Sequence, residues 1–171
     1  MVRPSAEKAG LPSPLSRIGR EVNERIPEVV ARKVLLALDR LGKSPERSIF
    51  FLIGFAFKGE PETSDIRGST TMDILSILEP IAGEIRGYDP VIRPKELAAL
   101  GVNPCSIEEG FRGADCCMVL NNHRSYSDLD IFSSLKSMNR PSVYCDCWQI
   151  FAPKDVKQVE DVTYVGLGFE R

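Results

Sequence analysis

The residues best suited to chemistry gather in one stretch, Phe55-Ala56-Phe57-Lys58-Gly59-Glu60-Pro61-Glu62-Thr63-Ser64-Asp65-Ile66-Arg67-Gly68-Ser69. It follows the apolar run Phe50-Phe51-Leu52-Ile53 and precedes a helical pattern beginning at Thr70. Lys58 offers a compact positive charge and Arg67 a planar fork of donors, and both suit phosphate oxygens. Ser69, Thr70 and Thr71 are N-cap types, and Asp73, three positions after Thr70, completes a capping-box-like pair. Helix N-termini favour anions, so two cations beside one suggest a phosphate-bearing ligand. The competing assignment makes both cations ordinary solvated charges paired with Glu60, Glu62 and Asp65. Residue types alone leave the two open.

The elements that must position this stretch are legible as alternating patterns. Ile49 to Gly54 is a short apolar run fit for a buried strand, and Thr70 to Ala82 has helical spacing with Met72, Leu75, Ile77 and Leu78 facing inward. Glu84 to Asp89 follows as a strand, Pro94 to Leu100 and Ile107 to Gly113 as helices, and Cys116 to Asn121 as a third strand. Ser127 to Met138 is predicted helical, Ser142 to Asp146 a fourth strand and Thr163 to Gly166 a fifth. Alternation of this kind requires crossover connections, which implies α/β architecture: a three-layer, Rossmann-like, open and mostly parallel sheet. Ligands of such sheets bind outside the carboxyl ends of strands, where connections are ordinarily 2–6 residues long. The segment from Phe55 to Gly68 is much longer, and long ordered loops are disproportionately functional.

Ahead of the sheet lies a long amphipathic helix, Leu15 to Leu41, with Leu15, Ile18, Val22, Ile26, Val29, Val30, Val34, Leu38 and Leu41 spaced by three or four. Pro27 is expected to kink or divide it. Its apolar face must be buried on the following domain, on a second subunit, or on a domain outside this chain.

The 171 residues, 43% hydrophobic and 27% charged, fit an ordinary globular class with one main core. A net charge of −2 and a pI near 5.6 give no basic field to attract nucleic acid or an anionic membrane. No apolar stretch approaches the roughly 20 residues that cross a bilayer, and the opening lacks a secretory pattern, so a cytoplasmic setting is expected. Cys105, Cys116, Cys117, Cys145 and Cys147 sit within or beside apolar runs and lack the spacing of zinc ribbons, so reduced, buried thiols are expected and no metal site. His123, in Asn121-Asn122-His123-Arg124, falls at the end of the third strand, placed either for ligand contact or as a surface turn residue. Tyr88-Asp89 stands where dinucleotide-binding folds hold an acidic ribose ligand, or is only a turn before Pro90.

Read in order, these stretches resemble a known family. "GFAFKGEPETSDIRGS" is similar to the "GFAFK…DxRxS" segment opening the C-terminal, nucleotide-sugar-binding domain of the UDP-glucose/GDP-mannose dehydrogenases. "GEIRGYDP" resembles that family's second strand, "EEGFRGADCCMVLNNHRSY" its third strand and turn, and "VTYVGLG" its final strand. Upstream, "LSRIGREVNERIPEVVARKV" resembles the helix ending the family's central dimerisation region. The resemblance therefore implies two parts: residues 1–44 as a helical remnant of that region and residues 45–171 as the nucleotide-sugar-binding domain. It implies an enzyme that oxidises the C6 alcohol of a UDP-hexose to a carboxylate in two steps, using NAD and a covalent thiohemiacetal on a cysteine. The family's G-x-G-x-x-G turn and "GGxCxxKD" segment do not occur in these 171 residues, so no catalytic residue is assigned and the chain alone is expected to be inactive.

By the same resemblance Phe57 and Lys58 contact the nucleotide sugar, Phe57 as a hydrophobic wall and Lys58 as a point charge. Arg67 reaches toward NAD held mainly by another domain, and a homodimer forms through the N-terminal helix. Two departures stand out. The loop between Lys58 and Arg67 is about two residues longer than the family pattern, and Trp148 in "CDCWQIF" stands where the family usually has a substrate-binding arginine. Indole supplies a stacking face and one N–H donor in place of a guanidinium fork, or it simply covers the domain. A second reading keeps the module free-standing and non-catalytic, binding a nucleotide sugar or a protein partner.

Overall fold

The computed structural model of the chain describes residues 14–168. Helix α1 (Pro14–Arg40) leads, through a short 3-10 turn at Pro45–Arg47, into strand β1 (Ile49–Ile53). The rest alternates: α2 (Thr70–Leu78), β2 (Glu84–Tyr88), α3 (Pro94–Ala98), β3 (Asn103–Pro104), α4 (Ile107–Phe111), β4 (Cys116–Val119), α5 (Ile131–Lys136), β5 (Ser142–Asp146), α6 (Pro153–Val156) and β6 (Val162–Gly166). The described strands form one sheet in the order β3-β2-β1-β4-β5-β6, every pairing parallel. The expected α/β class is therefore realised as the doubly wound order of dinucleotide-binding folds.

Period-two side-chain direction builds two cores from the same strands. Phe50 and Leu52 of β1, Cys116 and Met118 of β4, and Val143 and Cys145 of β5 face α1 and α2, where Val30, Val34, Leu38, Ile74 and Leu78 meet them. Phe51, Ile53, Cys117, Val119 and Tyr144 face the other way, onto Phe111, Ile131, Leu135 and Met138. Each fully buried aliphatic or aromatic side chain contributes roughly 1.5–3 kcal/mol, so β1, with Phe50 through Ile53 wholly inside, is the natural centre.

Several sequence expectations are adjusted. Pro27 does not divide α1, which runs unbroken through it. The carbonyl its missing N–H would serve, that of Asn23, lies on an exposed turn where water can take over. The apolar face of α1 also splits: Val30, Val34 and Leu38 are buried, while Leu15, Ile18, Val22 and Val29 are exposed. The helix predicted over Ser127 to Met138 is instead a 3-10 turn (Arg124–Asp128) followed by α5, because the Asp130 carboxylate accepts the Ser133 N–H and restarts the helix. Strand β3 and helix α6 are too short to carry a period that the sequence could display. Cys145 and Cys147, two apart, share a face with their sulfurs 3.9 Å from each other, and both remain thiols. Among the described residues no cluster of three metal-ligating side chains forms, and no helix is long and apolar enough to cross a membrane.

Candidate functional site

In this strand order the chain leaves β1 toward β2 and β3, then returns to place β4 on the other side of β1. In folds of this order ligands bind at the carboxyl edge shared by β1 and β4, and here the loop leaving β1 crosses that edge to meet the turn after β4. The long loop after β1 is built in layers from that edge outward. Gly54, with φ +93°, turns the chain where a Cβ would stand 2.5 Å from the Asn121 side chain, so the two loops touch at their roots. Asp89, at the end of β2 and nearly inaccessible, then fastens the loop: one carboxylate oxygen accepts the N–H groups of Phe55 (2.7 Å) and Ala56 (2.9 Å), the other those of Val91 (2.8 Å) and Ile92 (3.1 Å). On the far side Thr71 Oγ1 donates to the Gly54 carbonyl, and Ser69 caps α2 by accepting the Thr71 N–H.

Beyond Ala56 the loop pinches together through the Phe57 N–H to the Asp65 carbonyl, 2.7 Å, leaving residues 58–64 as a tongue. That tongue docks on the turn after β4. Asn121 Nδ2 donates to the Ala56 carbonyl, Asn122 Oδ1 accepts the Gly59 N–H at 3.0 Å, and His123 Nε2 lies 2.9 Å from Glu62 Oε2. The His123 ring is oriented by its other nitrogen. Nδ1 accepts the Ser125 N–H, an obligate donor, so the proton of the neutral ring sits on Nε2 and is donated to Glu62.

The four residues singled out from sequence fall along this edge in distinct states. Lys58 is half-buried and, among the described residues, has no ion-pair or hydrogen-bonding partner, since Glu62 is engaged with His123 and Asp65 with Arg67. Arg67 is 88% exposed and forked on Asp65, its Nε 2.9 Å from Oδ1 and its Nη2 2.7 Å from Oδ2. The Arg67 guanidinium and N–H beside Asp65 hold its carboxyl down at about 2. Pairing with a loop carboxylate therefore holds for Arg67 and, among the described residues, not for Lys58. Phe57 exposes 55% of its surface and Trp148 50%, unusual for rings of this size in a folded domain.

Trp148 is held by β4 and β5. Its indole N–H donates to the Leu120 carbonyl at 3.0 Å, next to the Asn121 that serves the β1 loop. Its own N–H is accepted by Asp146, whose other oxygen takes the Phe151 N–H. Burial pushes the Asp146 carboxyl above its usual range, only partly offset by these amides. With its donor spent, Trp148 presents a ring face alone.

His123 and Asp89 resolve differently from the sequence alternatives. His123 is neither a surface turn residue nor free for a ligand: it is 6% exposed and occupied at both nitrogens. Asp89 has both oxygens filled by backbone amides, so it cannot receive a ribose hydroxyl without releasing the loop. Sequence reading missed the roles of Asn121 and Asn122, and it offered Glu62 to the cations where the structure gives it to His123. The one signal available was the tandem asparagine after an apolar run, since Asn side chains commonly complete turns; which loop they complete depends on topology.

Comparison with known proteins gives a consistent result. Residues 51–153 match the model of the UDP-glucose/GDP-mannose dehydrogenase family, UDP binding domain. The chain is 32% identical over 124 residues to UDP-N-acetyl-D-mannosamine dehydrogenase of Pyrococcus horikoshii, covering 72% of this chain and 27% of that protein. It is 25% identical over 155 residues to UDP-glucose 6-dehydrogenase TuaD of Bacillus subtilis, covering 89% and 32% respectively. The solved structure of the Pyrococcus horikoshii UDP-D-ManNAc dehydrogenase superposes with a TM-score of 0.76 at 27% identity, over 95% of this chain and 35% of that one. The chain thus spans about a quarter to a third of the length of the curated relatives it matches.

Proposed function

This chain belongs to the UDP-glucose/GDP-mannose dehydrogenase family, where it corresponds to the UDP-binding domain, and from that premise we propose that it holds a UDP-linked hexose for oxidation at C6. The observation that carries the reading is Lys58: a half-buried lysine with no counter-charge among the described residues, at the carboxyl edge shared by β1 and β4. A diphosphate would supply the counter-charge that Lys58 lacks. Phe57 walls the ligand, and the ring face of Trp148 stacks on its planar or C–H surface. Donors for any ligand hydroxyl beside Trp148 must come from elsewhere, because the indole N–H is spent.

NAD would accept the hydride in this reaction. The residues present here do not form its principal site: no G-x-G-x-x-G turn occurs, and Asp89 is saturated by amides. They do fit a contribution from outside, for Arg67 stands exposed and pre-oriented by Asp65, able to meet an anionic group held by another domain. The exposed residues Leu15, Ile18, Val22, Val29 and Leu36 follow three-, four- and seven-residue spacing along α1, the pattern of a helix seam, and support a homodimer formed there.

Calorimetric titration of the chain with UDP, UDP-hexoses and GDP-mannose tests the reading. Binding of the uridine ligands is expected, and Lys58→Ala should weaken it by roughly 1.5–3 kcal/mol, the cost of a charge-assisted contact. An unchanged affinity in that variant would overturn the assignment.

A further inference from the structure

We infer that His123 is a positioning residue whose hydrogen bond to Glu62 latches the Lys58-bearing tongue onto the turn after β4 and so sets Lys58 for an anionic ligand. The inference rests on the reading of Lys58 as a phosphate-binding cation. Its grounds are geometric. Beyond the pinch of Phe57 on Asp65, the tongue of residues 58–64 has few holds on the body of the domain: the Gly59 N–H on Asn122 Oδ1 and the Glu62 carboxylate on His123 Nε2. Both grip the same turn, one on each side of Pro61. Gly59 lies so close to that turn that a Cβ would stand 2.1 Å from the His123 backbone nitrogen. Lys58 immediately precedes Gly59, so its placement follows that of the docked backbone.

His123 is built to act through Glu62 and not on a ligand. Its Nδ1 is consumed by the Ser125 N–H and hydroxyl, its ring lies against Tyr126 with centroids 5.7 Å apart, and its remaining N–H faces a carboxylate. A buried donor of fixed tautomer aimed at an otherwise exposed loop carboxylate is a latch. Glu62 itself exposes 56% of its side chain, so its removal leaves the core untouched.

Charge gives the test its sign. Glu62→Ala deletes a negative charge from the tongue that carries Lys58, and by Coulomb attraction alone that would tighten anion binding. Loss of the latch predicts the opposite: roughly two- to tenfold weaker UDP binding, the range of one hydrogen bond, with unchanged thermal melting. In a Lys58→Ala background Glu62→Ala should have no further effect, because the latch acts through that lysine. His123→Gln, whose amide N–H can reach Glu62, should restore most of the affinity lost in His123→Asn, whose shorter amide retains only the contact to the Ser125 N–H. Tryptic cleavage after Lys58, followed without ligand, should accelerate in Glu62→Ala. Equal or tighter UDP binding by Glu62→Ala, or an undiminished effect in the Lys58→Ala background, would overturn the inference. Accelerated cleavage together with no UDP binding by the unmodified chain would confirm the latch mechanically while refuting the phosphate-binding reading on which its purpose depends. Unaltered cleavage would refute the latch itself.

Discussion

Asp89 concentrates more backbone order than any cation near the site. Four N–H groups converge on its two oxygens, two from the loop after β1 and two from the loop after β2. Replacing it by asparagine turns one acceptor into an NH₂ group facing two N–H donors, so Asp89→Asn is expected to cost about 2 kcal/mol or more in urea unfolding. Such a loss would far exceed that of Arg67→Ala, whose ion pair with Asp65 is exposed and falls in the class worth little. From sequence Asp89 reads either as a ribose ligand or as a turn residue. Only the convergence of two loops from adjacent strands makes it a fastener, because its four partners come from both sides of a crossover.

At the scale of elements, the loop from Gly54 to Ser69 behaves as a structured arm laid across the turn after β4. Gly59→Ala should lift that arm, since the added methyl would collide with the His123 backbone and not with a flexible side-chain tip. The expected result is a large loss of UDP binding with secondary structure intact by circular dichroism. Helix α1 divides its labour differently. Its later turns are cemented to α2 and the sheet, whereas its early turns, linked on the surface by Arg17–Glu21 and Arg20–Glu24 pairs, expose their apolar residues. An apolar groove of about 430 Å³ beside it is lined by Ala31, Leu35, Leu36 and Ile77. Placing a charge within the stripe, as in Val22→Asp, is expected to shift the chain toward monomer in sedimentation experiments while leaving the domain folded.

For the molecule as a whole, a polar tie between the segment after α1 and the start of β4 is the partly buried pair of Lys43 and Asp115, whose carboxylate also engages the Ile49 N–H and Asn139. Burial pushes the Asp115 carboxyl up, but the Lys43 ammonium and these donors outweigh it and hold it below its usual range. A carboxyl depressed in the folded state stabilises above the ordinary carboxylate range and loses that contribution as pH falls through the folded value. Asp115→Asn should therefore cost roughly 1.5–3 kcal/mol near neutral pH and progressively less as pH falls below the ordinary carboxylate range, read from urea midpoints. Asp146, raised by burial, works in the opposite sense: its contribution is present in acid and fades as pH rises through its folded value.

The amino-acid sequence by itself determined the alternation of strand and helix, the length of the loop after β1, and the ordered motifs that announce the family. All of these are local in the chain: period, cap residue and short signature are written in neighbouring positions. It likewise nominated Phe57, Lys58, Arg67 and Trp148. Tertiary structure alone decided that Lys58 has no counter-charge among the described residues, that the indole N–H of Trp148 is spent on Leu120, and that His123 serves Glu62. Each of those outcomes depends on groups from β1, β4 and β5 meeting at one sheet edge. Whether a polar group is paired is set by distance in space, and the crossovers that bring residues 62 and 123 within 2.9 Å have no footprint in either segment read alone.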